Sequence, residues 1–142
     1  MGIRLSISGA DTIKFGEDNI VACTFTTESS DNANARSTDI ANTLAVKGKI
    51  FSAIGGEVED DSFKVAKWSE VKAENKDSYR KVTVEILSGN RVVRKIVFPN
   101  AFIVDYKEDY FDTEGAGTFE LKVRQKKDKC DLITIEREAA RA

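Results

Sequence analysis

The sequence predicts an all-β (mainly β) domain: an antiparallel β-barrel or sandwich with one flanking α-helix packed outside. Three observations predict it. Short stretches alternate apolar and polar residues with a period of two. The cleanest sets Phe119, Leu121 and Val123 on one face and Thr118, Glu120, Lys122 and Arg124 on the other. Such a strand buries one side and keeps the other in water. Turn residues punctuate these stretches at short intervals, and only one segment carries an apolar stripe of helical period. Many short strands with a single helix close into a barrel or sandwich.

The elements follow in chain order. Ile3–Ser8 alternates as Ile3, Leu5 and Ile7 against Arg4, Ser6 and Ser8, a half-buried strand. A turn at Gly9–Asp11 leads to a short strand, Thr12–Phe15, and Gly16–Asn19 turns the chain into Ile20–Thr27, rich in β-branched and aromatic residues. Glu28–Asn42 is mostly small and polar, without stripe or alternation, and is expected to be a long loop. Loops of that length are uncommon in compact domains unless they do something. Thr43–Ser52 resumes alternation through Leu44, Val46, Gly48 and Ile50, until Gly55-Gly56 and the acidic run Glu57–Asp61 break it.

Asp61–Ala73 is the predicted helix. Asp61 or Ser62 is placed to cap it, and Val65, Trp68 and Val71 form its apolar stripe. After Glu74–Ser78, the strand Tyr79–Leu87 points Val82, Val84 and Ile86 inward, and Ser88-Gly89-Asn90 turns it back into Val92–Phe98. Proline has no N–H to donate, so Pro99-Asn100 is expected to interrupt the ladder before a further strand, Ala101–Lys107. The excursion YKEDYFDTEGAG leads to Thr118–Gln125, so that Val92–Lys127 reads as three strands. Leu132–Glu136 supplies a last short strand, and Glu138–Ala142 a frayed tail.

Composition bounds the function. A chain of 142 residues, 41% hydrophobic and 32% charged, is expected to form one domain over 1–142, burying about 70% of its unfolded surface. Its net charge of −2 argues against a dedicated nucleic-acid binder and a polybasic membrane anchor. The charge is unevenly spread: residues 1–77 hold 9 basic and 13 acidic side chains, residues 78–142 hold 13 and 11. A chance split across mixed surfaces produces this, and so does head-to-tail contact between copies. No stretch reaches the roughly 20 apolar residues that span a bilayer. Alternation straight after Arg4 leaves no apolar signal core. Cys23 shares an apolar phase with Val21 and Phe25 and is expected to be a small buried hydrophobe, while Cys130 stands alone in a charged linker. No disulfide and a reducing compartment are expected.

The chain has no histidine, which removes Ser-His-Asp and Cys-His catalysis and every histidine-containing metal site. Two isolated cysteines cannot make a four-thiolate zinc site, and no phosphate-cradling glycine motif occurs. Asp112-Thr113-Glu114 resembles the Asp-Thr-Gly turn of aspartic proteases but lacks its glycine and a second copy. The cluster Glu108, Asp109, Asp112 and Glu114 lacks EF-hand spacing and reads as a solvated loop. Met1-Gly2 with Ser6 fits an N-myristoylation pattern, but the same residues are accounted for by the first strand. The basic run Lys122, Arg124, Lys126, Lys127 and Lys129 has no interleaved aromatics, so the stacking platforms of single-strand binders are missing. No catalytic, cofactor-binding or metal-binding residue is expected, and no enzyme.

From Asp31 onward the pieces NARSTDIANTLAVKGKI, AKWS, YRKVTVEI, VVRKIVFPNAFIVDYKEDY and GTFELKVRQKKDK together resemble a clostridial family related to the tube proteins of contractile injection machines. Those include the haemolysin-coregulated protein of type VI secretion and the tail-tube proteins of contractile phages and phage-tail-like bacteriocins. Some relatives bear the description "membrane-associated protease"; lacking histidine, a catalytic constellation and a membrane segment, this sequence does not support it.

The resemblance implies a β-barrel with a flanking helix that forms hexameric rings stacked into a hollow tube, the inner tube of a phage tail, bacteriocin or type VI-like machine. It implies other copies, sheath, baseplate and tail-terminator proteins as partners, transient DNA or protein cargo in the lumen, and no membrane anchoring. Assembly is expected in the bacterial cytoplasm, into a virion tail or phage-tail-like particle. Asp31, Asn32, Asn34 and Arg36, in the long polar loop, become the candidate inter-ring contacts. Thr118, Glu120, Lys122 and Arg124 become the candidate lumen face. The competing class is a monomeric β-barrel module that binds a peptide or nucleic acid.

Overall fold

The alternating segments pair into one sheet. A computed structural model of the chain describes residues 1–29, 40–51, 61–112 and 116–138. The strands are β1 (Gly2–Ser8), β2 (Thr12–Phe15), β3 (Ile20–Ser29), β4 (Ile40–Phe51), β5 (Arg80–Ser88), β6 (Arg91–Asp109), β7 (Ala116–Gln125) and β8 (Thr134–Glu136). The helix α1 covers Ser62–Ser69, and 3₁₀ turns occupy Lys76–Ser78 and Lys127–Leu132. The sheet order is β2-β1-β5-β6-β7-β4-β3, with β8 added to β6, and every pairing is antiparallel.

One face of all seven main strands contributes to a single core, which requires the sheet to roll up on itself. Leu5 and Ile7 of β1, Ile13 and Phe15 of β2, Leu44 and Val46 of β4, Val82 and Val84 of β5, Ile96 and Phe98 of β6 and Phe119, Leu121 and Val123 of β7 are all buried. Phe15 meets Phe119 at 5.1 Å between ring centres, and Phe25 of β3 meets Phe98 edge-on at 6.0 Å. Gly48 sits where a side chain would collide: a Cβ there would lie 2.5 Å from the Phe119 ring and 2.9 Å from the Asn19 carbonyl. The helix closes this barrel from outside, with Val65 and Trp68 buried and Val71 half-buried beside the core.

Several expectations are corrected. Pro99-Asn100 does not end a strand: β6 runs unbroken from Arg91 to Asp109, so Val92–Lys127 contains two long strands and not three. The proline is absorbed in a bulge, where Val82 pairs with Phe98 and Arg80 with Ala101. The Asn100 N–H is taken by the buried Gln125 Oε1 at 2.9 Å. Long β6 therefore serves both halves of the barrel, pairing with β5 along Arg91–Ala101 and with β7 along Ala101–Asp109.

The ends of the predicted Glu28–Asn42 loop are strand, since Glu28 pairs with Ala41 and Ser29 with Ile40. Val21 falls out of phase at a register shift between Ile20 and Ala22 and is exposed, while Cys23 and Phe25 are half-buried against the core. The helix is shorter than predicted. Its last turn tightens to i−3 bonds at Glu70 and Val71, and Asn75 then caps the 3₁₀ turn by accepting the Asp77 N–H at 2.9 Å. Asp61 stands at the N-cap without capping: its carboxylate instead accepts the Lys14 N–H at 2.7 Å, tying α1 to β2. Much of the segment before β8 is a 3₁₀ turn, which leaves a strand of three residues.

Candidate assembly surfaces

The four strands β6, β7, β4 and β3 present a continuous polar outer face. On β7 it displays Thr118, Glu120, Lys122 and Arg124, the residues opposite in phase to buried Phe119, Leu121 and Val123. Strand register lays these out in rows. Asp109, Thr118 and Lys49 form the first, Lys107, Glu120, Lys47 and Ala22 the second. Asp105, Lys122, Ala45 and Thr24 form the third, and Phe102, Arg124, Thr43 and Thr26 the fourth.

Charges of opposite sign alternate across this face. Lys47 Nζ lies 3.8 Å from Glu120, and Lys107 Nζ lies 3.5 Å from Asp109 along its own strand. Both pairs are half open to water and add little stability, on the order of 0–1 kcal/mol. Their effect is to offset part of the positive charge of this face and keep it hydrated. Arg124 Nε donates to the Thr43 hydroxyl at 3.4 Å, and a trough of about 410 Å³ runs over the small residues Ala22, Thr24 and Ala45 between Lys47, Glu120 and Lys122. Among the described residues no cluster of three or more acidic, cysteine or histidine side chains is placed to hold a metal, and no helix is long and apolar enough to cross a membrane.

The register also defines the two ends of this half of the barrel. One end carries Lys49, Thr118, Asp109 and the Gly16–Asn19 turn, whose Asn19 carbonyl accepts the Lys49 N–H at 2.7 Å. The other carries Thr26, Thr43 and Arg124, followed by the 3₁₀ turn Lys127–Leu132. At this second end Tyr79 and Phe102 meet edge-on at 5.9 Å, and Lys126 Nζ stands 5.3 Å over the Tyr79 ring. The basic run thus acquires aromatic neighbours from distant sequence, which its linear composition hid.

Of the residues singled out from sequence, Thr118, Glu120, Lys122 and Arg124 share one face. Asp31, Asn32, Asn34 and Arg36 lie outside the described residues. Sequence reasoning missed the partners of the β7 row: Lys47 and Lys49 on β4, and Asp105, Lys107 and Asp109 on β6. The alternation of β4 contained the signal for Lys47 and Lys49, but a charged row becomes visible only when register is known.

No protein-family model matches the chain, and no curated protein matches it. Solved structures do match. The chain is similar to Hcp1 from Flavobacterium johnsoniae, with 15% identity over 96% of this chain and 95% of that one and a TM-score of 0.53. It is similar to a chain of the 6-fold symmetrised baseplate of the anti-feeding prophage, with 9% identity, 95% and 92% coverage and a TM-score of 0.55. A chain of the sheath-tube complex of the extracellular contractile injection system PVC, in its extended state, gives 11% identity, 96% and 89% coverage and a TM-score of 0.53. At these identities the likeness shows a shared fold, carried over nearly the whole of both chains.

Proposed function

We propose that this chain is a structural subunit of the inner tube of a contractile injection machine, assembling into hexameric rings that stack around a lumen. The observation that carries this reading is the near-complete mutual coverage with Hcp1, over 96% of this chain and 95% of that one. Similarity to chains of sheath-tube and baseplate complexes supports a role as a building block. The sheet edges agree with it. Strands β2 and β3 end the sheet order, and exposed strand edges invite pairing with another chain unless something covers them. Ring closure covers them.

In this reading Thr118, Glu120, Lys122 and Arg124 line the lumen, together with Lys47 and Ala45 of β4 and Lys107 and Asp105 of β6. Alternating charge suits a surface along which DNA or protein cargo slides, because a purely basic lining would hold phosphates. Asp31, Asn32, Asn34 and Arg36 reach the adjacent ring, and the partners are other copies, sheath, baseplate and terminator proteins. Assembly takes place in the bacterial cytoplasm, into a phage tail, bacteriocin or related particle.

Light scattering after size exclusion, with negative-stain microscopy of concentrated protein, tests this. Rings or tubes are expected. A strict monomer at every concentration refutes the reading and favours a monomeric module for peptide or nucleic acid. Deleting Asp31–Ser37 should leave a folded protein that forms rings but does not stack; normal long tubes from the deletion would remove the loop assignment.

A further inference from the structure

We propose that successive copies of this chain join through an acidic aromatic knob and a basic aromatic cleft, Tyr110 and Phe111 of one copy seating against Tyr79 and Phe102 of the next. This rests on the tube reading in one respect, that the partner is a second copy. The surfaces themselves are chosen by exposure, shape and charge.

The knob stands at the end of β6. Tyr110 is 68% exposed and Phe111 52% exposed, the largest aromatic exposure on adjacent residues among the described ones. Tyr110 is nevertheless held in place. Its hydroxyl bonds to the Glu108 carboxylate, and its ring lies against Gly117, where an added Cβ would come within 2.9 Å of it. A large side chain already positioned loses little freedom on docking, and buried aromatic anchors carry much of the energy of interfaces. Acids surround it: Glu108, Asp109 and Asp112 beside it, and Glu17 and Asp18 in the turn at the same end, against Lys49 and Lys107.

The cleft stands at the middle of β6, beside α1. It holds about 190 Å³, with Trp68, Val71, Tyr79, Phe102 and Ile103 in its walls. Pockets for small ligands hold about 300–1,000 Å³, so this one suits a single inserted side chain. Its rim is cationic, with Lys126 over Tyr79 and Arg124 paired in register with Phe102. Aromatic rings meeting edge to face, flanked by opposite charges, give such a contact both energy and direction.

The cleft lies midway along β6 and the knob just past its end, Phe102 and Asp109 being about 23 Å apart along the strand at about 3.3 Å per residue. A copy therefore cannot satisfy its own cleft. Each contact leaves an undocked knob at one end and an undocked cleft at the other, the heterologous arrangement that propagates copies in one direction.

Charge-swap complementation tests this. One variant reverses the knob (Asp109→Lys with Asp112→Lys), the other the cleft rim (Arg124→Glu with Lys126→Glu). With wild-type chains assembling, each variant alone should keep its circular dichroism and require at least about tenfold higher concentration to assemble. An equimolar mixture should recover assembly, because the reversed knob fits the reversed rim and the two unaltered surfaces fit each other. Phe111→Ser, at an exposed position, supplies a second reading should a charge variant misfold, and the same tenfold loss is expected of it. Variants that assemble like wild type, or a mixture no larger than its components, overturn the proposal and leave the tube reading standing. Wild-type protein that is monomeric at all concentrations overturns both.

Discussion

The guanidinium of Arg80 lies over the indole of Trp68, 5.2 Å from its centre, in a pocket that leaves the arginine side chain only 5% exposed. Its terminal nitrogens reach Asp11 at 2.8 Å and Asp77 at 2.9 Å, while its Nε has no hydrogen-bond partner among the described residues. One cation thus ties the turn between β1 and β2, the 3₁₀ turn after α1 and the start of β5 to the helix itself. Asp77 also accepts the Ala10 N–H at 3.3 Å, so the two turns are joined through both of its oxygens.

Replacing Arg80 by Met keeps the stem and removes the charge. The lone Nε cost disappears, but two aspartates lose their partner, and both are solvated enough to tolerate it. A loss of about 1–3 kcal/mol in urea unfolding is expected, well below what breaking a fully buried pair costs. A loss of more than about 5 kcal/mol would mean that the cation holds more of the fold than its contacts account for.

The hydrogen bond from Arg80 holds the Asp77 carboxyl below the ordinary aspartate range. A depressed acid stabilises the folded state above its unfolded pKa of about 3.9 and loses that contribution as pH falls through the folded value. Asp77→Asn should therefore lower stability at pH 7 and make less difference as pH drops below about 4. The check is the gap between the two proteins' urea midpoints across pH 3–7; a gap that widens in acid contradicts the assignment.

Trp68 is 2% exposed and donates its indole N–H to the Ser78 carbonyl at 3.1 Å. Trp68→Ala should cost about 3–5 kcal/mol through the cavity it leaves. Trp68→Phe should cost less, keeping most of the packing while stranding that carbonyl. Equal losses in chemical denaturation would show that the hydrogen bond and not the volume dominates.

Gln125, 1% exposed, spans the proline bulge: Oε1 accepts from Asn100 N and Nε2 donates to the Lys129 carbonyl at 2.8 Å. Gln125→Leu preserves bulk and strands both backbone groups, at about 1–3 kcal/mol each if they stay buried. Faster amide exchange at Asn100 and around Lys129 is the expected signature, and unchanged exchange there would refute this role.

Burial pushes the Cys23 thiol up to about 11. Its thiolate is scarce at pH 8, so iodoacetamide should modify Cys23 far more slowly than an ordinary thiol of pKa about 8.5. Mass spectrometry of the folded protein reads this directly, and unfolding in urea should abolish the protection.

Local alternation alone decides which residues face inward. Alternation is local physics: Leu5 and Ile7, Leu44 and Val46, Val82 and Val84, and Phe119, Leu121 and Val123 are buried as their phase dictates. The single helix was legible for the same reason, since Val65 and Trp68 are spaced for one face. Where a tertiary contact outweighed a local rule, the sequence misled. Pro99 stays within β6 because Gln125, 25 residues away, takes the N–H of Asn100, and Asp61 gives up capping because its carboxylate accepts the Lys14 N–H of β2 instead. Register lay beyond reach as well. The rows that join Lys47, Glu120 and Lys107, and the meeting of Tyr79, Phe102 and Lys126, arise from pairing strands distant in the chain. No local pattern encodes such pairing, because its energy exists only once the barrel has closed.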